Sequence, residues 1–374
     1  MTPLALETAP ARAASATMPA LIERLRNLAA VALPRMYSDA AKRYVFTVRG
    51  VDGTLVPDGV SNRYSAITLI GLAADGCDRW ELPYDPRALA ATLVAELPAG
   101  TNLGDAALIA WAASALGVDA APAWTHVERL FNAKTAHPTV EVAWALAAAA
   151  IDGRHVTAAL RHKLLGSVLQ AWSDEASLFA HVTGSGGARS HVACYADQVY
   201  PIFALSRFYA KHRDAAALQA ALRCARRICK VMGADGQWWW HYDHRTGDVI
   251  EGYPVYAIHQ DAMGPMALRA VADASGESFD AFIERGLKWL EASPELNGGT
   301  LIDEPAQMLW RKVARREPMK ATRYVQAACT KLHPRFRAPG LNVLFPAAAV
   351  DHEDRPYHWG WFLYAWAPVQ DPRP

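Results

Sequence analysis

Six stretches of this chain are apolar nearly all round and rich in alanine, and each opens on a polar or acidic residue. Ser61, Asn62, Arg63 and Tyr64 lead into a run ending near Ala74, and Asn102 and Asp105 into one ending at Leu116. His137 and Glu141 lead into a run ending at Ala150; Cys194, Tyr195 and Asp197 precede Val199 to Tyr209. His259, Gln260 and Asp261 precede Ala262 to Val271, and Arg355, Tyr357 and His358 precede Trp359 to Trp366. Between them, residues 86–97, 122–133, 155–172, 213–232 and 276–292 carry charged and apolar faces at about 3.6 residues per turn. A helix that is apolar all round must be buried, whereas one with a charged stripe faces water. Alternating the two kinds predicts an inner ring of helices enclosed by an outer ring.

The spacing agrees. Tyr64 to Asp105 is 41 residues and Asp105 to Glu141 is 36, enough for one helix hairpin each. The next two intervals, 56 to Asp197 and 64 to Asp261, are longer, so the loops have grown there. An earlier amphipathic helix is expected over 19–33, with Leu21, Ile22, Leu25, Leu28 and Val31 at helical spacing. Residues 1–18 read as a flexible leader, and 19–374 as a single toroid domain with an N-terminal extension. Tyr44 to Val48 has β-type residues and suits an extended segment, and Gly50 to Gly59, with Asp52-Gly53, is turn material.

This pattern resembles the α/α toroids, the six-hairpin barrels, over roughly residues 60–370. The resemblance implies an all-α fold, an (α/α)6 toroid of six inner and about six outer helices. Glycoside hydrolases, polysaccharide lyases, sugar 2-epimerases and glucuronyl C5-epimerases use such barrels; terpenoid cyclases and protein prenyltransferases use related ones. It also implies a pocket at the N-terminal ends of the inner helices, where the unusual polar residues lie. Fold alone does not fix function.

Composition narrows the partners. The formal net charge is +1, with no basic run interleaved with aromatics, which argues against nucleic acid or an anionic membrane. No run of eighteen apolar residues suits a membrane span. Five scattered cysteines without a CxxC read as buried thiols in a reducing compartment, and no secretory signal opens the chain, so the expected location is cytoplasmic. Neither a cofactor nor a metal is expected. The expected partner is a small-molecule or oligosaccharide substrate, and the oligomeric state is not legible.

The densest chemistry lies in 236–268. Trp238, Trp239 and Trp240 run into His241, Tyr242 and Asp243; after the turn Thr246-Gly247-Asp248 come Tyr253, Tyr256, His259, Gln260 and Asp261. Rings with polar tips, imidazoles and acids are what a ligand-lining wall needs. Asp261 and Glu141 are the expected acid/base carboxylates, with His259 and Tyr256, three apart on one helical face, handling the proton. Trp238 and Trp240 are expected to stack on a sugar, and Arg63 to hold a carboxylate. His241, Tyr242, Asp105, Asp197, Tyr64, Gln260 and His358 complete the expected substrate wall. The plainer reading of Asp105, Asp197 and Asp261 is an N-cap; that of Glu141 is an ion pair with Arg63, and that of the histidines a structural hydrogen bond.

The Gly-x-Trp to Tyr-Asp stretch before an aromatic-His helix start is similar to the C-terminal domain of glucuronyl C5-epimerases and to unsaturated-glucuronyl hydrolases. It matches neither residue by residue, so no catalytic residue is carried over. The expected function is a carbohydrate-active enzyme, hydrolase, lyase or epimerase, acting on an oligosaccharide or uronic-acid-containing polymer. The alternatives are a terpenoid cyclase or prenyltransferase-like enzyme, for which the chain lacks Asp-x-Asp-Asp and Asp-Asp-x-x-Asp, and a non-catalytic glycan-binding toroid. Elsewhere, Thr183 to Gly187 reads as a lid or loop over the pocket and Asp303-Glu304-Pro305 as a helix start. His352 to Arg355 read as a surface turn, and Arg311-Lys312 with Arg315-Arg316-Glu317 as a solvated face.

Overall fold

The computed structural model describes residues 17–98, 100–134, 136–184 and 186–368. Most of the expected leader, residues 1–16, lies outside these, as does Ser185 in the expected lid. The six apolar stretches are helices α2 (Asn62–Asp75), α4 (Leu103–Ala115), α6 (Thr139–Ile151), α8 (Ala196–His212), α10 (Gly264–Ser275) and α14 (Pro356–Ala365). Each packs on the next, and α14 closes the ring by packing on both α10 and α2. In α4 every residue from Ala106 to Ala113 is buried, as a helix enclosed on all sides requires. Gly71 of α2 and Gly360 of α14 bring the two backbones together: a methyl on Gly71 would overlap the Gly360 carbonyl, and one on Gly360 the Ile67 carbonyl.

The outer helices are α3 (Pro86–Ala95), α5 (Ala121–Asn132), α7 (Ala158–Gln170), α9 (Ala215–Lys230) and α11 (Asp280–Glu291). Their buried residues form stripes; in α9 these are Ala217, Ala220, Ala221, Cys224, Ala225, Ile228 and Cys229. Helix α1 (Met18–Arg35) buries Leu21, Leu25, Leu28, Ala29, Ala32 and Leu33 against α11 and α14. It is therefore the sixth outer helix rather than an appendage. The chain folds as an (α/α)6 toroid.

Short antiparallel strands cap the end where the inner helices begin. Asp52 and Gly53, both with positive φ, make the two-residue turn between strands Thr47–Val51 and Thr54–Asp58. The turn residues there mark a β-hairpin, which Asp-Gly between β-type runs signals. The long passage from α11 to α14 contains α12 (Ala321–Leu332), the one-turn α13 (Leu341–Leu344) and several strands. Three expectations fail in it. Asp303 ends strand Ile302–Asp303, and Glu304-Pro305 begin the turn to strand Met308–Leu309 rather than a helix. Glu353–Asp354 is a strand paired with Val48 and Arg49, and Asp354 is buried. Lys312–Arg315 is the middle strand of a three-stranded sheet, between Val255–Tyr256 and Ala347–Asp351. No helix of the described residues is long and apolar enough to cross a membrane.

Candidate active site

A cavity of about 180 Å³ opens where the inner helices start. That is well above the ~10–15 Å³ needed for a single water, room for a small polar ligand. Helix α2 supplies Arg63, Tyr64 and Ile67, α6 supplies Val140 and Trp144, and α8 supplies Ala196 and Tyr200. Tyr357 comes from α14, and the capping strands and their connections add Trp240, Tyr256 and Arg311. His259 and Met263 complete the wall from a π turn, His259–Met263, that precedes α10. Such wide turns displace side chains from normal helical positions and often occur at sites.

Aromatic faces dominate. Tyr64 stacks on Tyr357 at 4.5 Å, Trp144 meets Tyr200 edge-on at 5.0 Å, and Trp240 stacks on His259 at 5.6 Å. Tyr256 sits 4.9 Å from Trp240 and 5.0 Å from His259, between centroids. Strand pairing sets Tyr256 opposite Lys312, and the Ala257 amide donates to the Arg311 carbonyl, so Arg311 reaches 5.3 Å from the Tyr256 ring. The same wall also holds Arg63, 5.4 Å from the Trp144 ring and ion-paired with Asp105. Among the described residues that line the cavity there are two arginines and no carboxylate. Arg311 is ion-paired with Glu353 at 3.1 Å and Asp351 at 3.5 Å, but its buried Nε has no partner and remains as a donor, and the partial positive charges of the helix N-termini also favour an anion.

Protonation follows from burial. Burial pushes His259 down to about 3, so its imidazole is neutral near pH 7, and its Nδ1 has no hydrogen-bond partner. Burial raises the Tyr256 phenol, against the opposing charges of Arg311 and Arg355. Outside the lining, at Asp197 next to the cavity residue Ala196, a second arrangement appears that the sequence did not single out. His181, with a side chain 55% exposed, donates from Nδ1 to the fully buried Asp197 at 3.0 Å. That hydrogen bond and the Asp197 charge raise the His181 pKa above its ordinary value. A half-exposed imidazole oriented by a buried carboxylate is a competent proton carrier near neutrality.

The expected residues divide. Arg63, Tyr64, Trp240, Tyr256 and His259 line the cavity together. Tyr256 and His259 meet across a strand and the π turn rather than along one helix. Asp261 does not line it: its carboxylate is fully buried and paired with His358 Nε2 at 2.7 Å, pointing into the α10–α14 contact. His358 is consequently absent from the wall as well. Glu141 stays outside the lining, with Oε2 3.4 Å from the Gly104 amide and its charge felt by Arg63 and His181. Asp105 is not the N-cap of α4; Asn102 accepts the Asp105 amide at 2.8 Å, and the Asp105 carboxylate is left for Arg63. Asp197 accepts the Cys194 amide at 2.7 Å from within the first turn of α8.

Trp238 is fully buried against Tyr195, so its ring is core and cannot stack on a ligand. His241 and Tyr242 are buried in the strand His241–Asp243, and Gln260 is buried beside Trp238 and Gly286. None of these lines the cavity. Trp144, Tyr200, Arg311 and Tyr357 do, and sequence reading missed them. Trp144 had a visible signal, a large ring one turn after Glu141 at the start of an inner helix. Arg311 had none, because its place is set by strand pairing.

No protein-family model matches this chain, and no curated protein is similar to it in sequence. Solved structures are similar in fold. A sugar epimerase from a ruminal bacterium superposes with a TM-score of 0.58 at 11% identity, over 92% of this chain and 98% of that one. An unsaturated glucuronyl hydrolase specific for heparin gives 0.57 at 13%, over 92% and 96%. A possible member of the GH105 family from Klebsiella pneumoniae gives 0.56 at 9%, over 98% and 97%. They share the toroid. At these identities the likeness is one of fold, and the chemistry has to be argued from the cavity.

Proposed function

We propose that this protein is a carbohydrate-active enzyme acting on a uronic acid residue of an oligosaccharide, moving the proton next to the sugar carboxylate. The observation that carries this reading is the cavity wall: two arginines, no carboxylate, and neutral His259 beside Tyr256 among sugar-sized aromatic faces. Arg311 and Arg63 would hold the substrate carboxylate and take up the charge that develops on it when the neighbouring C–H loses its proton. Neutral His259, whose Nδ1 has no partner, would accept that proton, Tyr256 would return one, to the same carbon in epimerisation or to the leaving oxygen in elimination, and His181, oriented by Asp197, would exchange protons with solvent. β-Elimination and epimerisation both begin with that step. Structural relatives named for glucuronyl hydrolysis and sugar epimerisation support a sugar substrate.

The fold supports treating 19–368 as one domain, since one core runs from Leu21 to Trp366; the last residues of the expected domain, 369–374, lie outside the described residues. Five free cysteines support a cytoplasmic location. A non-catalytic glycan-binding toroid is the second reading, favoured by one observation: Asp197 and Asp261 are both paired with histidines rather than converging on one point. The decisive experiment is mass spectrometry of neutral and uronic-acid oligosaccharides incubated with the protein in H₂¹⁸O and, separately, in D₂O. An unsaturated product or deuterium at the carbon beside the carboxylate is the expected result. An ¹⁸O-labelled product would mean hydrolysis and move the chemistry to Glu141 and His181. Binding without turnover would leave the glycan-binding reading.

A further inference from the structure

The passage from Arg311 to Arg337 holds nine Lys and Arg residues and one acid, Glu317, in a chain of net charge +1. Arg311, Lys312 and Arg315 are paired with Asp351, Glu353 or Glu251. Among the described residues no ion pair to a carboxylate is found for Arg316, Lys320, Arg323, Lys331, Arg335 or Arg337. Glu317 turns its own carboxylate to the Thr322 amide at 2.6 Å. Positive charge is therefore concentrated on α12 and its flanks, not spread as a solvated face of mixed sign.

Within this passage Tyr324, an exposed ring, carries two guanidiniums. Arg323 lies 5.2 Å and Arg189 5.0 Å from its centroid. Arg189 comes from the connection before α8 and Arg323 from the first turn of α12, so the tertiary fold brings two like charges together. The buried Nε of Arg323 has no hydrogen-bond partner. Neither guanidinium has an ion pair to a carboxylate among the described residues, so the two like charges on one ring repel each other, and a bound anion relieves that repulsion. The stack is tied to the cavity wall through the sheet: the Arg189 carbonyl accepts the Val192 amide, and strand Val192–Cys194 pairs with His241–Asp243, which directly follows the cavity residue Trp240. The charges of Arg323 and Arg311 both bear on Tyr256, those of Arg189 and Arg323 on His241, and that of Arg189 on His181.

We propose that Arg189, Tyr324 and Arg323 form a second anion station, which holds the next acidic residues of a polyanionic glycan whose end occupies the cavity. This rests on the uronate reading of the cavity and extends it from a single sugar to a chain. Arginine suits the task because its planar fork takes a carboxylate bidentately while stacking on an aromatic face. Tyr324 supplies the flat surface for a sugar ring.

The test is binding of polygalacturonate, with dextran as the neutral control, by calorimetry at low and at raised salt. Wild type should bind polygalacturonate, dextran much less, and the affinity should fall with salt as exposed charges are screened. The Arg189→Gln/Arg323→Gln double variant should lose about tenfold or more in affinity and most of the salt dependence. Removing two charges elsewhere on the surface, in Lys163→Ala/Lys230→Ala, should not. Tyr324→Ala, which keeps both charges, should weaken binding in the same direction by less, and it covers the case in which the double variant does not fold. Equal affinity of wild type and the double variant would overturn the station, as would equal binding of dextran. Turnover of a short uronate oligosaccharide without polymer binding would overturn the station and leave the reaction standing. Polymer binding lost in the double variant, with no sugar turned over, would keep the station and sink the reaction.

Discussion

His358 Nε2 lies 2.7 Å from the Asp261 carboxylate, and both side chains are buried between α10 and α14, where the ring of inner helices closes. Burial alone would lower the His358 pKa; the Asp261 charge outweighs it and raises it. The pair locks a helix junction. Asp261→Ala should therefore destabilise the fold by about 3–5 kcal/mol, the cost of leaving one buried charge without its partner. Denaturant unfolding measures this, and a variant of unchanged stability would remove the structural role.

Stability should depend on pH through the same pair. Because the folded pKa of His358 is raised, its contribution is fully present below the unfolded value of about 6.5 and lost as pH rises through the folded value. Buried Asp354, pushed up to about 6, acts in the same direction at lower pH, since the folded state holds its proton longer than the unfolded state. Thermal melts of wild type should show stability falling from about pH 6.5 upward, and Asp261→Asn should flatten that part of the curve.

Trp238 and Trp240 are two residues apart and should behave oppositely. Trp238→Ala empties a core position and should cost about 3–5 kcal/mol of stability. Trp240→Ala should leave most of the stability and weaken sugar binding by about 0.5–1.5 kcal/mol, the worth of an aromatic contact. Parallel unfolding and binding titrations separate them.

Arg63 joins α2 to α4 through Asp105 and faces the cavity beside Trp144. Arg63→Ala should raise KM for uronate oligosaccharides by an order of magnitude or more, from the loss of about 1.5–3 kcal/mol in charged hydrogen bonds. Affinity for the matching neutral oligosaccharide should change far less. An equal loss for both would mean that Arg63 does not read the carboxylate.

The ring of His181 should titrate above its ordinary range, and Asp197→Asn should lower its pKa, because the carboxylate holds the proton on. Following the His181 ring protons by NMR against pH measures both. An unchanged pKa in the variant would mean that Asp197 does not orient the imidazole.

The inner and outer helices were legible because their signal is local. A residue enclosed on all sides needs an apolar neighbour every way it faces, and a half-buried helix repeats its stripe every three or four residues; both patterns lie within one segment. The hairpin at Asp52-Gly53 was legible too, although it was read only as a turn. Of the candidate cavity's lining, Arg63, Tyr64, Trp240, Tyr256 and His259 were legible as residues that could share one wall. Its working parts were decided by contacts between segments far apart. The π turn aims His259 and Met263 at the cavity and sends Asp261 toward α14, a rotation that composition does not encode. The pairing of Val255–Tyr256 with Lys312–Arg315 carries Arg311 to Tyr256 across 55 residues, and Asp197 meets His181 only because the connection before α8 folds back over its start. Periodicity fixes which face of a helix is buried, whereas the partner of a buried charge depends on which segment arrives there, and for this chain only the tertiary structure decides that.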